Sequence, residues 1–400
     1  MYSSVMTIIS DTATLASFCD RLSAEKFVTV DTEFMRDKTY WPILCLVQVG
    51  GTAEAAAIDP LAEGIDLKPL LDLMADERVL KVFHAARQDI EIFFNLSGAV
   101  PQPLFDTQVA AMVCGFGESV SYETLAGKLA GARIDKSSRF TDWANRPLTE
   151  RQVEYALADV VHLRPVYEKL RANLERSGRG SWLDEEMEIL TDPAIYRLDP
   201  NESWRRFKPR SGNRRFLAVL RELAAWREKA AQQRDLPRNR IIRDESILEI
   251  AAHAPSSVAE LSRSRGLGKG LVEGKFGAEI LAAIGRALAL PESEYPELPA
   301  RHEPPPGIGP LVDLLRVLLK YRCEESGVAQ KLVANADDLE MIAADDNAPV
   351  RALSGWRRDL FGREALDLKQ GRIALTAAGK RIKLVELAES TAPPRSAVAR

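Results

Sequence analysis

The chain has 400 residues, 46% apolar and 28% charged, which is the composition of globular protein and the length of two or three domains rather than one core. Its net charge of −4 conceals an asymmetry: residues 1–204 carry 20 Lys+Arg against 32 Asp+Glu, whereas residues 205–243 hold 13 basic and 3 acidic side chains, so an acidic, metal-binding front beside a basic, polyanion-binding hinge is expected. No apolar run approaches the roughly 18 residues of a membrane span, no signal-peptide layout opens the chain, and Cys19, Cys45, Cys114 and Cys323 form no C-x-x-C pair, which excludes a disulfide or zinc framework and predicts a cytoplasmic protein with reduced thiols.

In chain order, residues 27–30 and 44–49 are short, β-branched-rich runs that read as adjacent strands. Residues 55–59 add a third strand, 67–74 a helix and 79–83 a fourth strand. Beyond Ala86 the period turns helical, with Ile90, Phe93 and Phe94 at spacings of three and four. Residues 107–114, 122–130 and 149 to about 174 follow as helices, the last opened by a Thr149/Gln152 capping box. Alternating strands and helices predict an α/β domain over residues 1–177. Residues 178–213 turn to Gly, Pro, Arg and Asp and read as a connector.

Helical periodicity resumes at 216–231 and 246–252, giving a helical domain over 214–290. Six prolines make 291–307 a linker. A second helical block is expected over 308–388, with helix from 311 to about 387, and a disordered tail over 389–400. The two blocks read as a weak repeat. Residues 247–252 (ILEIAA) parallel 339–344 (LEMIAA), and each is followed by a Phe-Gly pair, Phe276-Gly277 and Phe361-Gly362.

Three motifs carry chemistry. Asp31 and Glu33 lie two apart on a strand, so both carboxylates project from one face. Asp89, in the His84-Ala-Ala-Arg-Gln-Asp89 segment, falls where a strand gives way to a helix, and a carboxylate there suits the helix dipole. Tyr155 and Asp159, four apart within a long helix, share a helix face, and an aspartate among Ala, Leu and Val is costly to bury unless a cation neutralises it. Standing alone, each motif reads as ordinary surface charge or amphipathic helix. Together they supply the oxygen ligands that hard divalent cations prefer in phosphoryl-transfer sites. His84, with no partner histidine, reads as structural.

In order, spacing and local structure the three motifs resemble the DEDD exonuclease superfamily. The subclass follows from Tyr155, because Glu154 stands where the histidine subtype carries its histidine. Val30-Asp-Thr-Glu-Phe-Met-Arg36, Tyr40-Trp-Pro42, Leu46-Val-Gln-Val49, Asp135-Lys-Ser137, Thr141-Asp-Trp143 and Arg146-Pro-Leu-Thr149 are similar to the ribonuclease D family in particular. Trp226-Arg227, Asp235-Leu-Pro237, Asp244, Ile250-Ala251, Pro255 and Phe276-Gly277 resemble the HRDC domain, a helical nucleic-acid-binding bundle. The block after Gly307 resembles a divergent second copy that lacks the D-x-P turn.

The resemblance implies a ribonuclease-H-like mixed sheet with flanking helices followed by two all-α HRDC-like bundles. It implies a cytoplasmic, monomeric 3′→5′ exoribonuclease that releases 5′-mononucleotides, with precursor tRNA as substrate. Two Mg²⁺ or Mn²⁺ ions are implied: Asp31, Glu33 and Asp159 hold one, while Asp31 bridges to a second that Asp89 supports. Tyr155 and Glu33 would orient the attacking water. Phe34, Met35 and Trp41 are candidate walls for the terminal nucleotide. A DNA proofreading-type exonuclease and a catalytically inactive RNA-binding scaffold are the alternatives. The paired helical blocks favour RNA, and the full set of carboxylates opposes decay.

Overall fold

Alternation of strand and helix in the first half builds one sheet with helices on both faces. The computed structural model describes residues 7–135, 141–209, 212–298 and 305–387. In chain order come β1 (Thr7–Ile9), α1 (Thr12–Leu22), β2 (Phe27–Met35), β3 (Ile43–Gly50), β4 (Ala55–Ile58), α2 (Lys68–Ala75), β5 (Leu80–Phe83), α3 (Arg87–Ser97), β6 (Leu104–Asp106), α4 (Thr107–Val113), α5 (Tyr122–Ala130) and α6 (Glu150–Ser177). The strands are ordered β1-β4-β3-β2-β5-β6. β2 pairs antiparallel with β3 and parallel with β5, so the sheet is mixed. The expected helices and four strands are present, and Thr149 and Gln152 form the capping box. Sequence reading missed β1, α1 and β6. The two strands have only three residues each, too few to show a period.

α6 crosses the face of β2 that carries Thr29, Asp31 and Glu33. Thr29 Oγ1 donates to the Val160 carbonyl at 2.8 Å. A Cβ at Gly50, opposite Thr29, would lie 2.6 Å from that hydroxyl and 3.4 Å from Val160, so glycine is what lets the helix settle so close. The register slips between Glu33 and Phe34, leaving Cys45 as a bulge on β3. Arg146, before the cis Arg146-Pro147 bond, donates to the Cys45 carbonyl at 2.6 Å and to both oxygens of Asp59 at 2.7 Å. One buried-side guanidinium thereby ties the bulge and the end of β4 to the loop that launches α6.

The expected connector is instead packed structure. It contains α7 (Gly180–Leu190), whose Leu183 and Met187 join the nuclease-side core, and a 3-10 segment (Pro200–Phe207) whose Trp204 is buried in the next core. Gly178, Asp192, Pro193, Asp199 and Pro200 sit at caps and 3-10 starts, so composition alone concealed the helix between them.

The first helical block comprises α8 (Arg214–Arg234), α9 (Arg238–Ile241), α10 (Asp244–His253), α11 (Val258–Leu261), α12 (Lys269–Val272) and α13 (Lys275–Ala289). It has its own core, which also takes in Tyr40 from the β2–β3 connection. The second comprises α14 (Gly309–Ser326), α15 (Gln330–Val333), α16 (Ala336–Ala344), α17 (Gly355–Arg357), a π-turn (Arg358–Gly362) and α18 (Arg363–Lys369). Its apolar side is continuous with the core of the α/β domain. α7 is the platform: Trp182 stacks on Trp356 with ring centroids 4.3 Å apart, and fully buried Arg357 pairs with Glu185 and Glu186. The blocks share one packing device. A Cβ on Gly277 would lie 1.8 Å from the Val272 carbonyl oxygen, and one on Gly362 would lie 2.2 Å from that of Ala352.

The helix expected to run to 387 ends at Lys369. β7 (Ile373–Ala378) and β8 (Arg381–Glu386) form a hairpin instead. Gly371 (φ 72°) stops the helix and Gly379 (φ 65°) makes the turn, while Leu375 and Leu384, directly paired, pack back on the core. Alanine-rich text hid this period of two. The tail expected over 389–400 lies outside the described residues.

Candidate active site

β2 delivers Asp31 and Glu33, and α6 lowers Asp159 onto them. One carboxylate oxygen from each of the three lies within 4.8 Å of the others. An ion bonded at about 2.1 Å to two oxygens allows them at most about 4 Å of separation, so a closure of under about one ångström would complete three-point coordination. The donor set is all oxygen and partly to fully buried, which suits a hard divalent cation.

Asp89 stands outside this cluster, on the first turn of α3, and is 7% exposed. The Thr32 hydroxyl, on the opposite side of β2 from Asp31, donates to it in a short hydrogen bond. The turn that carries it is set by Asp106, whose carboxylate accepts from the N–H groups of Ala85 at 3.0 Å and Ala86 at 2.8 Å while capping α4. Ala85 is held at φ 60°, in the left-handed region that residues with a Cβ seldom occupy. The sequence reading did not single out Asp106, whose duty at Ala85 and Ala86 depends on β5 and β6 being neighbours.

Burial governs the electrostatics. It pushes Asp31 up to about 7. Burial, then the Asp31 charge, raises Asp89 well above the carboxylate range. The Tyr155 phenol is raised by burial and by Asp159, Glu33 and Asp31, so it stays protonated and hydrogen-bonds the Asp159 side chain. Carboxylates held against their preferred ionisation are what a bound cation would relieve.

Tyr122, which the sequence reading did not single out, donates to the backbone carbonyl of Asp159 in a short hydrogen bond. No local signal marks it, since the contact joins residues 37 apart in sequence. His84 is 3.0 Å through Nδ1 from Thr107 Oγ1, whose own hydrogen goes to the Phe83 carbonyl, and burial lowers its pKa. It is thus a neutral, fixed wall. Gln48 is directly paired with Asp31 across β2 and β3, and its amide is wholly buried with no hydrogen-bond partner among the described residues.

A cavity of about 400 Å³ opens over these groups, lined by Asp31, His84, Gln108, Tyr122, Tyr155 and Asp159 among others. None of the three candidate walls is among the residues lining that cavity. Phe34 packs against the main core, Met35 against the cluster containing Trp143 and Tyr155, and Trp41 against the first helical block. Trp41 follows Tyr40 into the junction, where both backbone N–H groups donate to Asp235 at 2.9 and 3.0 Å.

A family model for 3′-5′ exonuclease domains matches residues 6–175, and one for the HRDC domain matches residues 216–284. The chain is 54% identical over 383 residues to ribonuclease D of Acidiphilium cryptum, covering 95% of this chain and 97% of that one. It is 52% identical over 380 residues to ribonuclease D of Granulibacter bethesdensis, covering 95% and 96%. Among solved structures it resembles Escherichia coli RNase D, an exoribonuclease involved in structured RNA processing, with a TM-score of 0.78 at 32% identity over 92% of this chain and 99% of that one.

Proposed function

The chain belongs to the ribonuclease D family and is a metal-dependent 3′→5′ exoribonuclease, and from that premise we propose that Asp31, Glu33, Asp89, Tyr155 and Asp159 are its active site. The observation that carries the assignment is the convergence of Asp31, Glu33 and Asp159 oxygens within 4.8 Å. Those three residues would hold one Mg²⁺ or Mn²⁺, and Asp31 with Asp89 a second. Bound ions of this kind supply a nucleophile at neutral pH and stabilise charge on the leaving oxygen.

The chain's own residues do the positioning. Tyr155, kept protonated by its buried, anionic surroundings, offers a fixed hydroxyl that orients the attacking water. Glu33, partly exposed and one of the charges that raise the Tyr155 phenol, accepts a hydrogen bond from the same water. Tyr122 fixes the α6 turn that bears Asp159. The cavity of about 400 Å³ seats the terminal nucleotide, released as a 5′-mononucleotide.

RNA reaches the site along the junction between the α/β domain (1–177) and the first HRDC domain (214–290). There a cavity of about 410 Å³ is lined by Arg36, Arg206, Arg227 and Arg238. Arg36, Arg227 and Arg238 are each fixed by a carboxylate, Glu91, Asp244 and Glu228. Arg206 is exposed and has no ion-pair partner among the described residues, which leaves it to meet a phosphate. Monomeric action on the 3′ trailer of precursor tRNA is the physiological reading.

The test uses a 5′-labelled RNA and its deoxyribose counterpart. Stepwise shortening from the 3′ end of the RNA, loss with chelator and recovery with Mg²⁺ or Mn²⁺ are expected. Cleavage that survives chelation, or begins internally, refutes the assignment.

A further inference from the structure

β3 is a central strand with neighbours on both sides, and six of its eight residues are apolar. Gln48 interrupts that run, fully buried, with neither Nε2 nor Oε1 hydrogen-bonded among the described residues. Buried amides in native folds are nearly always satisfied, so one with both ends unpartnered points to a partner that arrives later. Its place says which. Gln48 is paired with Asp31 on one side and Ala57 on the other, so all three side chains share the face that α6 covers. Ala57, Ala156 and Leu46 make the surroundings apolar. Thr29, the other uncharged polar side chain on that face of β2 and β3, gives its hydrogen to the Val160 carbonyl. Directly opposed residues of an antiparallel pair have Cβ atoms about 4.5–5.5 Å apart, a gap that glutamine and aspartate bridge with one hydrogen bond.

We propose that Gln48 is the positioning residue of Asp31: when the carboxylates close on a divalent cation, the Gln48 amide donates to the Asp31 oxygen turned away from the ion and fixes its orientation. The inference rests on the reading of Asp31, Glu33 and Asp159 as metal ligands. It gives the buried amide a function that is absent from the metal-free protein. Ligating carboxylates are themselves hydrogen-bonded in metal sites, and losing such a partner weakens metal affinity roughly 10–100-fold.

The discriminating variants are Gln48→Met, which keeps the shape, and Gln48→Leu. In the full-length, metal-free protein both are expected to melt at or above the wild-type temperature, since they remove an unsatisfied buried amide. Calorimetric Mn²⁺ titration is expected to show at least about ten-fold weaker binding. On an Asp31→Asn background the Gln48→Met change should no longer alter Mn²⁺ affinity. A lower melting temperature for both metal-free variants would make the amide a structural element and overturn the proposal, as would Mn²⁺ affinity equal to wild type. Wild-type protein that binds no Mn²⁺ through Asp31 and Asp159 would instead defeat the underlying metal-site reading.

Discussion

Asp159→Asn separates the two roles of the carboxylate cluster. The substitution preserves size and leaves an oxygen to accept from Tyr155, yet removes one of three charges whose oxygens lie within 4.8 Å. Two unit charges at that distance repel by about 3.5 kcal/mol at an effective dielectric constant of about 20. Partial protonation of Asp31 and solvent at Glu33 reduce the gain to roughly 1–3 kcal/mol. At ~2–4 °C per kcal/mol, the metal-free variant should melt roughly 2–12 °C above the metal-free wild type at pH 8. Activity should fall by at least ~100-fold, the scale of losing one group that stabilises transition-state charge. The assay is a pair of thermal melts in chelator together with turnover of a 3′-extended RNA in Mg²⁺. A metal-free variant that melts below wild type, or near-normal turnover at matched circular dichroism, would refute the argument that these oxygens form a repelling cluster built for a cation.

The same burial sets a pH dependence: with Asp31 pushed up to about 7 from 3.8, the native state retains a proton that the unfolded chain releases between those values, so metal-free stability is greatest at the acidic end and is lost as pH rises through 7. Melts across that window at fixed ionic strength check the sign, and a melting temperature that rises towards pH 8 contradicts it. Arg206→Ala should weaken RNA binding and lower the slope of log affinity against log salt by about 0.7, one phosphate contact on a single strand, measured by anisotropy over a salt series. Asp235→Ala removes the acceptor of the Tyr40 and Trp41 N–H groups, and a loss of ~2 kcal/mol at the junction should appear as faster hydrogen exchange in residues 39–42 with unchanged exchange in β5. In α13, Gly277→Ala drives a Cβ to 1.8 Å from a backbone oxygen and should unfold the first HRDC block, whereas Gly285→Ala meets nothing within 4 Å and should stabilise it by up to ~1 kcal/mol; denaturant melts of the two variants check the contrast.

Sequence alone determined whatever is written in local period and spacing. The strand that bears Asp31 and Glu33, the capped helix that bears Tyr155 and Asp159, and the exonuclease and HRDC resemblances were all legible, because i, i+2 and i, i+4 spacings fix which side chains share a face before any tertiary contact forms. The three-residue strands, the C-terminal hairpin and α7 were not legible, since their signals are shorter than a period, masked by alanine-rich text or hidden by cap residues. Tertiary structure decided the rest. It placed Trp41 in a domain junction, bound Asp89 to the Thr32 hydroxyl beside the Asp31–Glu33–Asp159 cluster, and put Tyr122 on the backbone of Asp159. It also laid the unsatisfied amide of Gln48 beside Asp31. Each of these depends on which strands and helices become neighbours across tens of residues, and that adjacency is fixed by how the apolar faces are buried together rather than by any pattern within one segment.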